Sequence, residues 1–259
     1  MRDSGRYAIH ASAYSDVGMI RRTNEDSFIL ADLTKGSGID RNGVLQFQSG
    51  SRGALFAVAD GMGGAAAGET ASRLGLEAIY EVLENSAIDR QSGSEALDQA
   101  LIDAVGIANR RIYELSRSNE DFAGMGTTLT AVLERRGHLV IAQVGDSRAY
   151  LIRNRDIYQL TKDQSLVAQM VSSGTLTEDE ARRHPERNIL LQALGVKPTV
   201  ELSLKSATVH PDDIILLCSD GLHSQMSEEE ICDIIVDSSN EQDACRQLVN
   251  LAGGVTFFL

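Results

Sequence analysis

Leu55-Phe56-Ala57-Val58-Ala59-Asp60-Gly61-Met62-Gly63-Gly64 is the stretch on which the fold turns. Five apolar residues in a row, ended by a glycine cluster, read as a strand buried on both faces. The strand stops at Asp60. A carboxylate at the tip of a buried strand is costly unless another group compensates its charge. Gly61, Gly63 and Gly64 follow at once, so the backbone can turn sharply and come close to a ligand. The small residues Ala65 to Gly68 lead into a helix. An acidic tip followed by close-approach glycines suits a metal held by oxygens, namely the Asp60 carboxylate and a main-chain carbonyl near Gly61. Taken alone, the stretch is better explained as an ordinary glycine-rich turn; the other acidic strand ends change the balance.

On the N-terminal side, Tyr7 to Tyr14 alternates loosely and reads as a strand. Asp16 to Asp26 packs Arg21, Arg22, Glu25 and Asp26 close together, just before a strand at Ser27 to Ala31 that should pair near Leu55–Asp60. Arg21 suits an anionic ligand and Asp26 a cation, although solvated surface ion pairs explain this segment in isolation. Lys35 to Arg52 is rich in Gly and Ser and reads as a hairpin loop.

On the C-terminal side, Ala71, Leu74, Ala78, Ile79 and Val82 fall at helical spacing. So do Leu97, Leu101, Val105, Ala108, Ile112 and Leu115, behind a capping box expected from Ser92 and Glu95. Gly126 to Thr161 changes to β-branched runs with short turns, an antiparallel meander interrupted by Gly145-Asp146-Ser147-Arg148. Asp163 to Leu194 is polar and mixed, with a short helix around Leu166 to Val171 and a Thr177/Glu180 cap, and reads as a flap. Thr199 to Ala207 reads as a strand. Asp213 to Cys218 is a second buried strand, and Ser219-Asp220-Gly221 repeats the Asp60-Gly61 design. Two helices, Glu228 to Val236 and Gln242 to Leu251, and a strand at Val255 to Leu259 complete the chain. Strands, helices, a meander and strands again predict an α+β fold of two packed antiparallel sheets with helix pairs outside. No linker or repeat divides it, so residues 1–259 are expected to form one domain.

Composition bounds the function. The 259 residues carry 37 acidic and 24 basic side chains, a net charge of −13. That argues against nucleic acid and is compatible with a site that collects cations. Cys218, Cys232 and Cys245 show no pairing pattern, which suits a reducing cytoplasm, and no apolar stretch is long enough to span a membrane.

Asp26, Asp60, Asp146 and Asp220 all sit at strand ends or turns, three beside glycine. Gathered together they would repel, and divalent cations would neutralise them. An oxygen donor set without a Cys or His cluster favours Mg²⁺ or Mn²⁺ over Zn²⁺. Two such ions can ready a water for in-line displacement at phosphorus, with Arg21 holding phosphate oxygens in a fork.

Five motifs in order, R-x-x-N-E-D at Arg21–Asp26, A-D-G-M-G-G at Ala59–Gly64, G-M-G-T-T at Gly124–Thr128, V-G-D-S-R-A-Y at Val144–Tyr150 and L-C-S-D-G-L at Leu217–Leu222, closely resemble the metal-dependent Ser/Thr protein phosphatases of type 2C in their bacterial form. The resemblance covers nearly the whole chain. It implies a dinuclear Mn²⁺/Mg²⁺ centre between the sheets, and a hydroxide bridging the metals that attacks phosphoserine or phosphothreonine directly. Asp60 would bridge the metals, Gly61 would give its carbonyl, and Asp220 would bind the first metal. Asp26 with Glu25 would serve the second, and Asp146 a third, weaker ion. Arg21 would bind substrate phosphate, and 163–194 would be the flap. Phosphorylated proteins, with an opposing Ser/Thr kinase, are the implied partners of a cytoplasmic monomer.

Three departures stand out. Met62 occupies the place of a His found in eukaryotic members, as it does in bacterial ones. Gln164 replaces a His usual after T-x-D. The family's closing G-G-x-D-N-[IV]-T is reduced to Gly253-Gly254-Val255-Thr256, so an expected carboxylate ligand is missing. That gap opens an alternative: a degenerate member that binds phosphoproteins with weak or no turnover.

Overall fold

Residues 55–59 are buried on both sides because their strand lies in the middle layer of a stack. The computed structural model describes residues 8–17, 23–39, 42–88, 92–252 and 254–258, with 39, 65 and 254–258 as backbone only. In chain order the elements are β1 (Ala8–Asp16), β2 (Asp26–Asp32), β3 (Ser37–Ile39), β4 (Gly43–Gln48), β5 (Ala54–Met62), α1 (Ala65–Glu84) and α2 (Ser94–Ser118). Then come β6 (Gly126–Thr127), β7 (Leu129–Arg135), β8 (His138–Val144), β9 (Arg148–Arg153), β10 (Asp156–Gln159), α3 (Leu166–Ser172) and α4 (Glu178–Arg183). The chain continues through β11 (Ser203–Thr208), β12 (Ile214–Cys218), α5 (Asp220–His223), α6 (Glu228–Asp237), α7 (Glu241–Ala252) and β13 (Gly254–Phe258).

The strands form two antiparallel sheets. One runs β10-β9-β12-β13-β1-β4; the other runs β11-β8-β7-β5-β2-β3, with β6 added to β5. The period-two alternation of a strand then divides β5 between two cores. Leu55, Ala57 and Ala59 face α1 and α2, while Ala54, Phe56 and Val58 face the other sheet. A third core lies outside the first sheet, where Leu216 and Cys218 meet Ile231, Cys245 and Leu248 of α6 and α7. The result is the expected α+β sandwich, two packed antiparallel sheets with a helix pair on each face. Among the described residues no helix is long and apolar enough to cross a membrane.

Three expectations need correction. Residues 35–52 are not a loop: Gly43–Gln48 pairs with β1 as an edge strand, and Phe47 is buried at 8% exposure. Its alternation, V-L-Q-F-Q, was hidden by the glycines and serines around it. The cap of α2 is Gly93, which has no side-chain cap bond, so the Ser92/Glu95 box is not formed. The Thr177/Glu180 box does form. Finally, residues 126–161 are not one meander. β7 and β8 pair in one sheet and β9 and β10 in the other, and the chain crosses between sheets at Gly145-Asp146-Ser147. Gly145 takes φ +96°, a conformation that glycine adopts without the steric cost of a Cβ.

Candidate functional site

Each acid is delivered by an element end that its neighbours hold in place. Asp26 and Asp60 are direct partners in the β2–β5 register. The main chain of Asp60 is gripped by G-M-G-T-T: its N–H donates to Thr128 Oγ1 at 2.9 Å, and its carbonyl accepts from Thr127 Oγ1 at 2.9 Å and Thr128 N at 2.9 Å. Thr127 and Thr128 are themselves buried. Asp220 opens α5, and the preceding Ser219 donates its Oγ to Asp26 Oδ2 at 2.8 Å, joining the two sheets at the site. Asp146 sits in the crossover, where Ser147 Oγ meets Thr128 Oγ1 at 2.7 Å and the Asp146 carbonyl lies 3.1 Å from His223 Nε2. Asp60, Asp146 and Asp220 line one cavity of about 530 Å³ with Gly61, Thr128 and residues of 188–197.

Gly61 is required for packing as well as for any carbonyl contact. A Cβ there would lie 2.1 Å from the Gly68 carbonyl oxygen on α1. Gly68 in turn leaves room for the Glu25 side chain, whose Oε2 a Cβ would meet at 2.2 Å. Gly61 N–H also donates to the Glu25 carbonyl at 3.1 Å. Glu25, Asp26, Asp60 and Gly61 are therefore built as one unit on β2, β5 and the start of α1. Arg21 lies outside the described residues, and so does the Gly253 of the shortened closing motif.

The electrostatics follow from this crowding. Burial, then the charges of Asp26 and Asp220, hold the Asp60 carboxyl well above its ordinary 3.8, and Asp220 is near enough to share a hydrogen bond with it. Burial, then Asp220 and Asp163, push Asp146 up to about 7. Burial, then the neighbouring Arg148 cation, lower His223 to about 4, so its ring is neutral. Carboxylates this close cannot all ionise without a cation among them.

Among the described residues no three His, Cys, Asp or Glu side chains converge so as to hold one ion. The donors the site does present, the carboxylates of Asp26, Asp60 and Asp220 beside the Gly61 carbonyl, are all oxygen, the kind that Mg²⁺ and Mn²⁺ take.

Several supporting contacts carried no signal in the sequence, even where the residue itself stood out. Arg148 forks onto Asp163, with Nε 2.9 Å from Oδ1 and Nη2 2.7 Å from Oδ2, and its Nη1 donates to Tyr150 OH at 2.8 Å. Gln164 exchanges bonds with Gly145: its Oε1 accepts from Gly145 N at 2.8 Å, and its own N–H donates to Gly145 O at 2.9 Å. These bonds tie the stem of residues 163–194 to the Asp146 crossover. The hydroxyl ladder of Thr127, Thr128 and Ser147 could have been suspected from G-M-G-T-T and G-D-S alone. Its partners could not.

The chain is similar to proteins already known. Residues 37–252 match the sequence model of the family described as Protein phosphatase 2C. A serine/threonine phosphatase stp of Listeria welshimeri is 36% identical over 228 residues, 88% of this chain and 83% of the relative. The S. agalactiae serine/threonine phosphatase structure superposes with TM-score 0.83 at 29% identity, covering 97% of this chain and 98% of that one. The catalytic domain of the serine/threonine protein phosphatase PstP, solved in complex with two manganese ions, superposes with TM-score 0.77 at 32% identity, covering 97% of both chains.

Proposed function

The chain belongs to the protein phosphatase 2C family, and from that premise we propose that it is a Mn²⁺- or Mg²⁺-dependent phosphatase of phosphoserine and phosphothreonine in proteins. The observation that carries the reading is the crowding of Asp26, Asp146 and Asp220 around Asp60, whose burial and like-charged neighbours make it hold its proton in the absence of a cation. Asp60 would be shared by two ions, with Asp220 and the Gly61 carbonyl on one side and Asp26 with Glu25 on the other. Asp146 would serve a third, weaker ion. Bound there, the ions would supply Lewis acidity and lower the pKa of water.

The chain's own residues then position and shield the reaction. Thr127 and Thr128 fix the Asp60 main chain, and Ser219 orients Asp26. Arg21 grips the phosphate oxygens. Water displaces the serine or threonine oxygen in line: a new P–O bond forms and the ester bond breaks, the attacking water releasing one proton to solvent as the leaving oxygen takes one up. Met62, beside the site, has no proton to give. Residues 1–259 act as one catalytic domain, with 163–194 as its flap, against phosphoproteins made by a Ser/Thr kinase.

One observation favours a second reading. Gly253-Gly254 runs into Val255-Thr256 with no Asp-Asn pair, which removes a carboxylate from the first ion's set. A phosphoprotein binder with little turnover is the consequence if that loss is decisive. Hydrolysis of p-nitrophenyl phosphate across a manganese series separates the two. The phosphatase reading expects turnover that rises with manganese and disappears with EDTA. Absent turnover with retained phosphopeptide binding supports the binder.

A further inference from the structure

Four of the eleven large apolar side chains exposed among the described residues line the cavity that holds Asp60, Asp146 and Asp220. They are Met62, Ile189, Leu191 and Val196, at 36%, 43%, 40% and 47% exposure. They form one wall. A Cβ at Gly126 would lie 2.9 Å from Val196 Cγ2 and 3.5 Å from Met62 Cγ, so these two side chains flank the same glycine. Apolar side chains left together in water beside a polar site mark a surface that something covers.

The wall is built rather than loose. The Ile189 carbonyl accepts from Leu166 N at 2.9 Å, and Leu191 N donates to the Gln164 carbonyl at 2.8 Å. Thr127 and Leu194 exchange two backbone bonds, of 3.1 and 2.8 Å. Buried Asn109 of α2 accepts from Gly195 N at 2.9 Å and donates to the carbonyls of Lys197 and Pro198, each at 3.1 Å. The main chain from 189 to 198 is thus pinned at both ends and in the middle, while the side chains at 189, 191 and 196 stand free. A surface whose backbone is already ordered loses little entropy when a ligand docks.

The patch runs directly into the acid-lined cavity. What covers it is therefore whatever carries the phosphate in. We infer that Met62, Ile189, Leu191 and Val196 select phosphorylated segments bearing a large aliphatic side chain within two residues of the phosphorylated Ser or Thr. Neighbouring residues of an extended peptide are spaced about 3.3 Å apart, so such a side chain reaches the wall while the phosphate is at the acids. This inference rests on the phosphatase reading and adds the substrate class.

The test compares three substrates in manganese: p-nitrophenyl phosphate, a phosphothreonine peptide with Leu on both sides, and the same peptide with Ser in place of each Leu. The expected result is a kcat/KM at least about 10-fold higher for the Leu peptide, mostly through KM, as burial of one aliphatic side chain implies. In the doubly substituted variant Ile189→Ser, Leu191→Ser the two peptides should become equal within about twofold. Both side chains are exposed, and a melting curve checks that the variant is folded. Equal peptides with the unsubstituted protein, or a preference that survives in the variant, overturn the inference while turnover of p-nitrophenyl phosphate leaves the phosphatase reading standing. No turnover of any substrate overturns both.

Discussion

Asp60 is in opposition to the stability of its own fold. Its carboxyl lies among three other acids and is held protonated by burial and their charge. Replacing it with Asn keeps the shape and removes the cost of holding an acid protonated among other acids. Two opposite effects are expected of Asp60→Asn. Manganese-dependent turnover of p-nitrophenyl phosphate should fall at least about 100-fold, since even indirect partners of a metal ligand are worth 10–100-fold. The metal-free protein should melt higher, by roughly 2–4 °C for about 1 kcal/mol in a chain of this size. A variant that loses activity and also melts lower would show Asp60 to be a structural residue instead. Asp60, Asp146 and Asp220 were legible in the sequence because glycine beside aspartate at a strand end or turn is a local pattern. What holds them was not. Ser219 reaches Asp26 across 193 positions and Thr128 reaches Asp60 across 68, and no local pattern reports such pairs.

The segment 163–194 depends on how firmly its stem is held to the crossover at Gly145–Arg148. The Arg148–Asp163 fork is the strongest link, with the two side chains only 21% and 13% exposed. Removing one partner of such a pair leaves the other charge poorly solvated. Asp163→Asn should therefore lower the urea midpoint by the equivalent of about 2 kcal/mol, less than a fully buried pair would lose because both groups retain some water. It should also speed proteolysis within 164–194 before the rest of the domain is cut. Uniform cleavage, or an unchanged midpoint, would mean that the Gln164–Gly145 bonds suffice. Long amphipathic elements were readable here: the α1 and α2 faces and both buried strands follow directly from apolar spacing. The edge strand Gly43–Gln48 was missed because only Phe47 in it is buried, so its pattern is faint. The sheet change at Asp146 was missed for another reason. Two hairpins in one sheet and two in different sheets have the same turn chemistry, and only tertiary packing distinguishes them.

The acids come from both sheets: Asp26 and Asp60 from one, Asp220 from the end of β12 in the other, and Asp146 from the crossover between them. Their mutual charge therefore acts across the sandwich, in a chain whose net charge is already −13. The sign of the pH effect follows from Asp146, raised from 3.8 to about 7, and from Asp60, raised in the same direction. An acid whose folded pKa is raised binds more protons in the native state than in the unfolded one, so stability falls as pH rises through that interval. In EDTA, the contribution of these two groups to the urea midpoint should be greatest below about pH 3.8 and should decline steadily from there towards pH 7. Manganese should reverse the decline at neutral pH, because ions held only by the native arrangement stabilise it by mass action, about 2.7 kcal/mol at one hundred times the dissociation constant. Sodium chloride at the same ionic strength should recover less, since screening reaches buried pairs poorly. The comparison that decides is Asp60→Asn at pH 7.5. If the ions bridge the sheets through this carboxylate, manganese should raise the melting temperature of the unsubstituted protein and move that of the variant much less. An equal manganese shift in both would place the stabilising ions elsewhere on the acidic surface.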